Sequence, residues 1–401
     1  MRVVVVGAGI AGLTLAASLH RRGVPCEVFE QAAVLREVGA GIQIAPNASR
    51  LLERLGLAAH LATVGVQPAA LEMHRWEDDR LIVRVPLGEE CRRQFQAPYY
   101  TVHRADLHDG LRALVPTGHV HLGKRCVAVE EGPDTVRLQF ADGSSTAADV
   151  VVGADGIHSV VRASLVADER QFSGQAIYRG VVPSSAVRFL QTEPRVVLWL
   201  GPDRHCVCYP VSGGRAVSVG ATAPSARGAS ESWLATGDIA ELMAGYADWC
   251  SEVRGLLTAL DRVGRWSLYD RDPITRWSSQ RITLVGDAAH PMLPFVAQGA
   301  NQAIEDAVAL SVLLAHSSAA TVGEVLNRYA ELRRCRTEEV QRISRRNSSA
   351  LHVPNGDRRE RRDAAIASSQ AARERSWLYG FDAEHAALAD VAGASRGSSM
   401  P

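Results

Sequence analysis

The sequence has almost no lysine, no net charge and no CxxC cysteine pair, and each absence excludes a class of protein. Its 401 residues include 44 basic side chains, of which Lys124 is the only lysine, and 44 acidic ones. A neutral chain has no overall field that attracts nucleic acid or an anionic membrane. The seven cysteines are scattered, which argues against disulfides and zinc. We therefore expect a cytoplasmic protein without a metal site.

Long apolar runs are also missing beyond the first twenty residues, so no membrane-spanning helix is expected. The start itself, Arg2 followed by an apolar run from Val3 to Leu19, resembles a secretory signal. Three glycines interrupt this run at regular spacing, which favours a nucleotide-binding element instead. The composition, 46% hydrophobic and 22% charged, is that of a globular protein of two or three lobes.

The N-terminal segment has the pattern of a dinucleotide-binding βαβ unit. A β-branched run, Val3–Val6, enters Gly7-x-Gly9-x-x-Gly12 and a helical stretch, and a second strand follows at Cys26–Glu30. The first glycine permits the turn, the second lets a pyrophosphate approach the backbone, and the third lets helix and strand pack. Glu30, 18 residues after Gly12, is placed to bind an adenosine ribose. NAD and FAD hold their ADP moieties alike, so this element does not choose between them.

The rest of the chain predicts an α/β protein with a discontinuous first domain. Strands at 149–152 and 281–285 extend a covered parallel sheet, whereas 170–223 shows the alternation and turns of a mostly antiparallel sheet. We expect a Rossmann-type cofactor domain at 1–75, 100–168 and 275–345, and an antiparallel substrate domain at 76–99 and 169–274. Residues 346–401 are expected to form an exposed C-terminal helical segment with a loose tail after Gly393.

Two later motifs select the cofactor. The first reads Asp149-Val-Val-Val-Gly-Ala-Asp155-Gly-Ile-His-Ser159-Val-Val-Arg162, and the second reads Gly286-Asp287-Ala-Ala-His290-Pro with Gln298-Gly299-Ala300-Asn301-Gln302 downstream. Together with the glycine motif, they resemble the single-component FAD-dependent aromatic hydroxylases of the para-hydroxybenzoate hydroxylase type, whose fingerprints include DGxxSxxR and GD. The three motifs cover almost the whole predicted α/β lobe.

This resemblance implies an FAD enzyme that hydroxylates a small aromatic or heteroaromatic substrate with O₂ through a flavin C4a-hydroperoxide. NADH or NADPH would visit transiently, because no second Gly-x-Gly-x-x-Gly follows a strand. A flavin oxidase or dehydrogenase, or a non-catalytic flavoprotein, would share the same motifs. The implied cofactor contacts are Asp287 toward the ribityl or pyrophosphate region, the backbone at Gly299, Ala300 and Asn301 toward the flavin, Arg36 and Arg104 toward the phosphates and ribityl chain, and Asp155 and Arg162 as braces.

We interpret three ionisable side chains near the last motif, those of His290, Glu305 and Asp306, as structural rather than catalytic. A helix beginning near Ala300 points its positive end at the negative charge of a reduced flavin. We interpret Glu305 and Asp306 as first-turn residues that stabilise this helix. We interpret His290, beside Pro291, as a residue that orders its loop rather than a catalyst.

The segment Asp203–Pro210 supplies the substrate-site candidates. On a strand, His205, Val207 and Tyr209 share one face, and His205 and Tyr209 lie about 13 Å apart. From this pattern alone, a substrate site and simple core packing remain equal alternatives. A histidine four residues before Tyr-Pro recurs in the salicylate hydroxylase and 6-hydroxynicotinate 3-monooxygenase subset, where both side chains line the pocket. We predict His205 as a base, since an ordinary histidine pKa lies near neutrality, and Tyr209 as an orienting group.

Further pocket residues complete the prediction. Gln43 stands where the hydroxynicotinate enzyme has a pocket histidine, and Pro294, Phe295 and Val207 are expected to exclude water. Arg179 or Arg204 could bind a substrate carboxylate, but among 43 arginines we interpret both as surface residues. The protein is expected to be a monomer or a homodimer. Likeness to the hydroxynicotinate enzyme also covers 99–108 and 377–382.

Overall fold

The computed structural model of the protein describes residues 1–35, 40–226, 237–366 and 369–397. Its strands, in chain order, are β1 (Val3–Val6), β2 (Cys26–Phe29), β3 (Gly41–Ile44), β4 (Ala70–Arg75), β5 (Leu81–Pro86), β6 (Tyr100–His103), β7 (Val120–His121), β8 (Cys126–Glu131), β9 (Val136–Phe140), β10 (Ser145–Ala148), β11 (Val150–Gly153), β12 (Gln171–Pro183), β13 (Arg195–Gly201), β14 (Arg204–Val211), β15 (Ala216–Pro224), β16 (Gly264–Asp270) and β17 (Ile282–Leu284). Its α-helices are α1 (Ile10–Arg21), α2 (Pro46–Leu52), α3 (Ala58–Val64), α4 (Gly88–Phe95), α5 (Arg104–Ala113), α6 (Val160–Leu165), α7 (Ile239–Gly245), α8 (Ser251–Thr258), α9 (Gly299–Ala315), α10 (Val322–Ala350), α11 (Asp357–Ile366), α12 (Ser369–Gly380) and α13 (Ala383–Gly397).

A five-stranded parallel sheet, in the order β17-β11-β1-β2-β7, forms the centre of the first lobe. Its middle strand β1 consists of four buried valines, which suits a strand covered on both faces. The strands come from residues 3 to 284, so the predicted assembly from discontinuous segments is confirmed. Parallel strands end at one edge of a sheet, and the loops after β1, β11 and β17 therefore meet there.

The second lobe is a seven-stranded sheet in the order β16-β12-β15-β14-β13-β4-β5. Only β13 and β4 pair in parallel, so the predicted mostly antiparallel sheet is confirmed. One face packs on α7 and α8 through an apolar core that includes Tyr246 and Trp249. Because β4 pairs with β13, residues 70–75 belong to this sheet although we assigned them to the cofactor domain.

The C-terminal segment is more closely packed than we predicted. Leu378, Tyr379, Ala383 and Ala387 are buried, and α13 lies against α9. The expectation of a simply exposed segment is wrong, because the alanines of α13 let the two helices approach closely. The tail expected after Gly393 is helical to residue 397, and 398–401 lie outside the described residues. In the described parts of the chain, every helix is too short or too polar to traverse a lipid bilayer.

Four buried charges connect α9 to α10. Glu305 and Asp306 face Arg333 at 2.6 and 2.8 Å, and Arg336 pairs with Glu305 at 2.8 Å. Burial alone would raise the pKa of Asp306, but His290 and Arg333 hold it at about 2. The prediction that these carboxylates occupy the first turn is wrong, because α9 begins at Gly299 and its first turn carries no acid. They are ion-pair partners in the second turn.

Replacing Arg333 with Met should lower the free energy of unfolding by roughly 3–5 kcal/mol, because two buried carboxylates lose a partner. Urea denaturation of the FAD-loaded protein measures this loss. Arg342→Met is the matched control on the same helix. Its guanidinium is exposed beside Glu339, so its removal should leave the free energy of unfolding close to that of the wild type. Equal losses in the two variants would contradict the role of the buried network.

Candidate active site

The three glycines of the first motif differ in what surrounds them. Gly7 has φ 104°, and a Cβ there would lie 2.4 Å from the carbonyl oxygen of Ala154. A Cβ at Gly12 would lie 1.9 Å from the carbonyl oxygen of Gly7. Both positions require glycine for the fold itself. A Cβ at Gly9 would meet nothing within 4 Å. The backbone at Gly9 is thus open to a ligand, as a pyrophosphate cradle requires.

Two carboxylates border this loop. Glu30, directly after β2, accepts hydrogen bonds from the N–H groups of Ala8 and Ala32, both at 2.8 Å. Asp155, after β11, accepts from the Val160 N–H at 2.7 Å and from the Ser159 hydroxyl, so it caps α6. Burial raises the pKa of Asp155. Glu30 is half-buried, and its contact with a ribose stays a prediction.

Arg162 lies behind the cleft rather than in it. Its guanidinium pairs with Asp168 at 2.8 Å and donates to the carbonyls of Ala288 and Ala289 at 3.0 and 2.7 Å. Only 1% of the residue is exposed. It therefore braces the Gly286–His290 loop, and its nitrogens have no open side for a cofactor. Arg36 lies outside the described residues.

Asp287, unlike the buried Arg162, has an exposed side chain. Its side chain is accessible from the cleft, yet burial by the surrounding walls raises its pKa, while His290 and Arg104 act to lower it. It makes no hydrogen bond or ion pair within the described residues. A recessed carboxylate of this kind suits ribityl hydroxyl donors. His290 itself is buried with Nε2 2.5 Å from Asp306, as expected of a structural residue.

The start of α9 completes the cofactor side of the cleft. Asn301 is fully buried. Its side-chain oxygen accepts a hydrogen bond from the Ala45 N–H at 2.8 Å, and its side-chain nitrogen donates to the carbonyls of Gln43 and Ala297 at 3.0 and 2.8 Å. Only its backbone remains for a ligand. No described side chain caps α9, so N–H groups at Gly299 and Ala300 and the positive helix end face the cleft.

The sheet face that we predicted to bind the substrate includes strand β14. Cys206 and Cys208 point into the core beneath the sheet, while His205 and Tyr209 lie on the opposite face. The Phe295 ring meets the His205 ring edge-on at 5.7 Å. The segment that contains Pro294 and Phe295 therefore covers this end of the strand, with Pro294 half-buried.

A second histidine, which the sequence did not indicate, pairs with His205. His205 Nδ1 lies 2.8 Å from His352 Nε2, and the rings stack with centroids 5.1 Å apart. Burial, with His352 beside it, lowers the pKa of His205 to about 3, and burial lowers that of His352 to about 4. The premise of a pKa near neutrality for His205 is wrong, because the ring is desolvated. His352 follows α10, far away in sequence.

Tyr209 lies in a row of polar and aromatic side chains. It is opposite Ser218 on β15 and near Gln43, whose Oε1 accepts a hydrogen bond from the Tyr99 hydroxyl at 2.6 Å. Tyr379, on α12, packs against Tyr99 with ring centroids 5.9 Å apart. Burial raises the pKa of Tyr209, so its hydroxyl is neutral at physiological pH and can donate or accept.

The comparisons with known proteins agree with this geometry. Residues 1–344 match the family described as FAD binding domain. The chain is 46% identical to 3-amino-4-hydroxybenzoate 2-monooxygenase from Streptomyces cremeus, over 98% of each chain. It is 35% identical to 6-hydroxynicotinate 3-monooxygenase from Bordetella bronchiseptica, over 86% of this chain and 91% of that one. A salicylate hydroxylase structure with substrate superimposes with TM-score 0.80, at 29% identity and 97% coverage of both chains.

The chain belongs to the FAD-dependent aromatic hydroxylases. The predictions of the family, of FAD as cofactor and of a hydroxylase enzyme are confirmed. The motif around Tyr209 suggested a likeness to the hydroxynicotinate enzyme. The sequence identity to the aminohydroxybenzoate enzyme is higher than that to the hydroxynicotinate enzyme. The open backbone at Gly9, the recessed Asp287 and the uncapped start of α9 fit an FAD hydroxylase.

Gly9→Leu should weaken FAD binding by at least about tenfold, or about 1.4 kcal/mol. The side chain would occupy the space at the glycine loop without straining the backbone, since φ at Gly9 is −72°. Quenching of FAD fluorescence during titration of apoprotein measures the affinity. Gly255→Leu, at an open position on α8, is the control that should bind FAD normally. Unchanged affinity in Gly9→Leu would rule out this loop as the cradle.

The histidine pair predicts a pH dependence of stability. Because the pKa of each histidine is lower in the folded protein than in the unfolded chain, protonation favours unfolding. The stability that the neutral pair contributes is therefore complete above about pH 6.5 and is lost as the pH falls toward the folded pKa values. Between about pH 6.5 and 5, each histidine should contribute about 1.4 kcal/mol per pH unit to the slope. His352→Gln should remove one such contribution in urea denaturation. His20→Gln, on the exposed end of α1, should leave the slope unchanged; an unchanged slope in His352→Gln would refute the assignment.

Proposed function

We propose that this hydroxylase inserts one oxygen atom of O₂ into a small aromatic or heteroaromatic ring, with electrons from NADH or NADPH. The observation that carries the proposal is the position of His205 and Tyr209 on the sheet face that the segment before α9 covers. The similar enzymes are named for 3-amino-4-hydroxybenzoate and 6-hydroxynicotinate. A lone dinucleotide-binding motif supports a transient visit of NAD(P)H, as predicted.

FAD, when bound, accepts the reducing equivalents and activates O₂. Gly9, Glu30, Asp287, Arg104 and the backbone of 299–301 are the groups that would hold it. The chain's further task is to orient the substrate and to keep water away. Three apolar side chains would exclude water from the substrate: Phe295 is buried, and Pro294 and Val207 are half-buried.

The contacts of His352 determine what His205 offers a substrate. We propose the tautomer in which His352 Nε2 accepts the Nδ1–H of His205 across the 2.8 Å between these nitrogens. His205 Nε2 then carries a lone pair, and it has no hydrogen-bond partner among the described residues. We propose that this nitrogen accepts the hydrogen bond of a substrate hydroxyl and so raises the electron density of the ring. Tyr209 would orient the same substrate.

Turnover of the FAD-loaded protein with ¹⁸O₂ tests the function. The probes are 3-amino-4-hydroxybenzoate, 6-hydroxynicotinate and salicylate, each with NADH and with NADPH. At least one should accelerate NAD(P)H oxidation and yield a product that carries ¹⁸O. Peroxide formation without a labelled product for every probe would overturn the proposal.

In the same assay, His205→Gln should lower the coupled hydroxylation rate at saturating substrate by on the order of 10²-fold. Gln keeps a polar side chain but cannot present the imidazole lone pair. His316→Gln, at the far end of α9 where the ring contacts the Val312 carbonyl, is the control. An unchanged rate in His205→Gln would remove His205 from the reaction.

A further inference from the structure

Arg179 is a half-buried arginine without a carboxylate partner; Arg50 and Arg204 also lack one, but both donate hydrogen bonds to backbone carbonyls. Arg162 pairs with Asp168, and Arg333 and Arg336 pair with Glu305. Arg179 makes no hydrogen bond or ion pair within the described residues, and its recorded contact is the Trp266 ring at 6.0 Å from the centroid. Burial lowers its pKa, and Arg104 nearby adds a like charge. Its charge is therefore uncompensated within the described chain.

Strand register places Arg179 beside a gap in the substrate face. Arg179 on β12 is opposite Gly220 on β15, and Gly220 is opposite Val207 on β14. At about 4.8 Å between strands, Arg179 and Val207 are about 9.6 Å apart with no side chain between them. A Cβ at residue 220 would lie 3.2 Å from Val207 and 3.5 Å from Ile177. The gap in the row of side chains at Gly220 is therefore narrow, with Val207 and Ile177 at its edges.

The predicted catalytic residues lie at two corners of this gap. On β15, Ser218 and Thr222 lie two residues before and after Gly220, so all three share one face of the sheet. Tyr209 is opposite Ser218, and His205 adjoins Thr222. A planar ligand over Gly220 would meet the imidazole and the phenol on one side and the guanidinium on the other.

We propose that Gly220 and Arg179 form the subsite for the carboxylate end of the substrate, so that the substrate is an aromatic acid. This rests on the proposed function and specifies which group selects the substrate. The guanidinium gains the counterion that the described chain does not give it, in a two-pronged bond to a carboxylate. Arg204 is excluded, because its guanidinium donates to the Gly245 carbonyl at 2.7 Å and covers Tyr246 beneath the sheet.

Ligand binding to the FAD-loaded protein tests this without turnover. The probes are 3-amino-4-hydroxybenzoate and its carboxamide, followed through the flavin absorption spectrum. The wild type should prefer the acid, and Arg179→Gln should weaken acid binding about 10- to 100-fold while changing amide binding by less than about threefold. Arg204→Gln, on β14 of the same sheet, is the matched control and should bind both probes like the wild type. FAD affinity should be the same in all three proteins.

Several results would overturn the subsite. They are a wild type that binds acid and amide equally or binds neither, an Arg179→Gln variant that loses both to the same extent, and a variant that loses FAD instead. The wild-type comparison needs no substitution, so a variant that fails to fold does not remove the test. A protein that binds the acid through Arg179 but incorporates no ¹⁸O would contradict the proposed function and leave the subsite standing.

Discussion

Two adjacent carboxylates buried in α9 hold the parts of the cleft in place. Asp306 accepts the Gly286 N–H at 2.9 Å and contacts His290, which fixes the loop after β17. Glu305 accepts from the Asn47 amide at 2.6 Å, which ties α2 to the same helix. Arg336 donates to Glu305 and to the Leu378 carbonyl at 2.8 Å, which anchors the C-terminal segment. The backbone that faces FAD is therefore positioned by charges that never contact it.

The charges of this protein fall into two groups with different physical roles. Those inside α9 and α10 are paired, because an isolated charge in the interior would cost several kcal/mol. Asp287 and Arg179 border the cleft and have no opposite charge bonded to them in the described chain. Such groups are destabilising until a ligand supplies the missing partner, which is a recurring property of binding sites. The lack of a bonded partner thus supports Asp287 and Arg179 as candidate binding residues, which residue type alone does not.

The same contrast explains what could be predicted from the sequence. The glycine motif, the parallel sheet and the order of the FAD motifs depend on local backbone requirements, such as φ 104° at Gly7, and local patterns reveal them. The His352 contact depends on how α10 returns to the sheet, and no local pattern carries that information. The pKa of His205 depends on desolvation, which a strand alternation does not report. Arg179 could not be selected among 43 arginines until its lack of a hydrogen-bond partner in the described residues became visible.

Cofactor and substrate sites are therefore encoded differently. The groups that we propose to hold FAD include backbone groups at the ends of parallel strands and at the start of α9, and these depend on the fold rather than on side-chain identity. The proposed substrate surface consists of side chains on one sheet face, completed by His352 and Tyr379 from segments near the C-terminus. A change at Gly220 or Gln43 would alter this surface without disturbing the glycine loop. That separation is a physical reason why enzymes with the same FAD motifs can differ in the ring they accept.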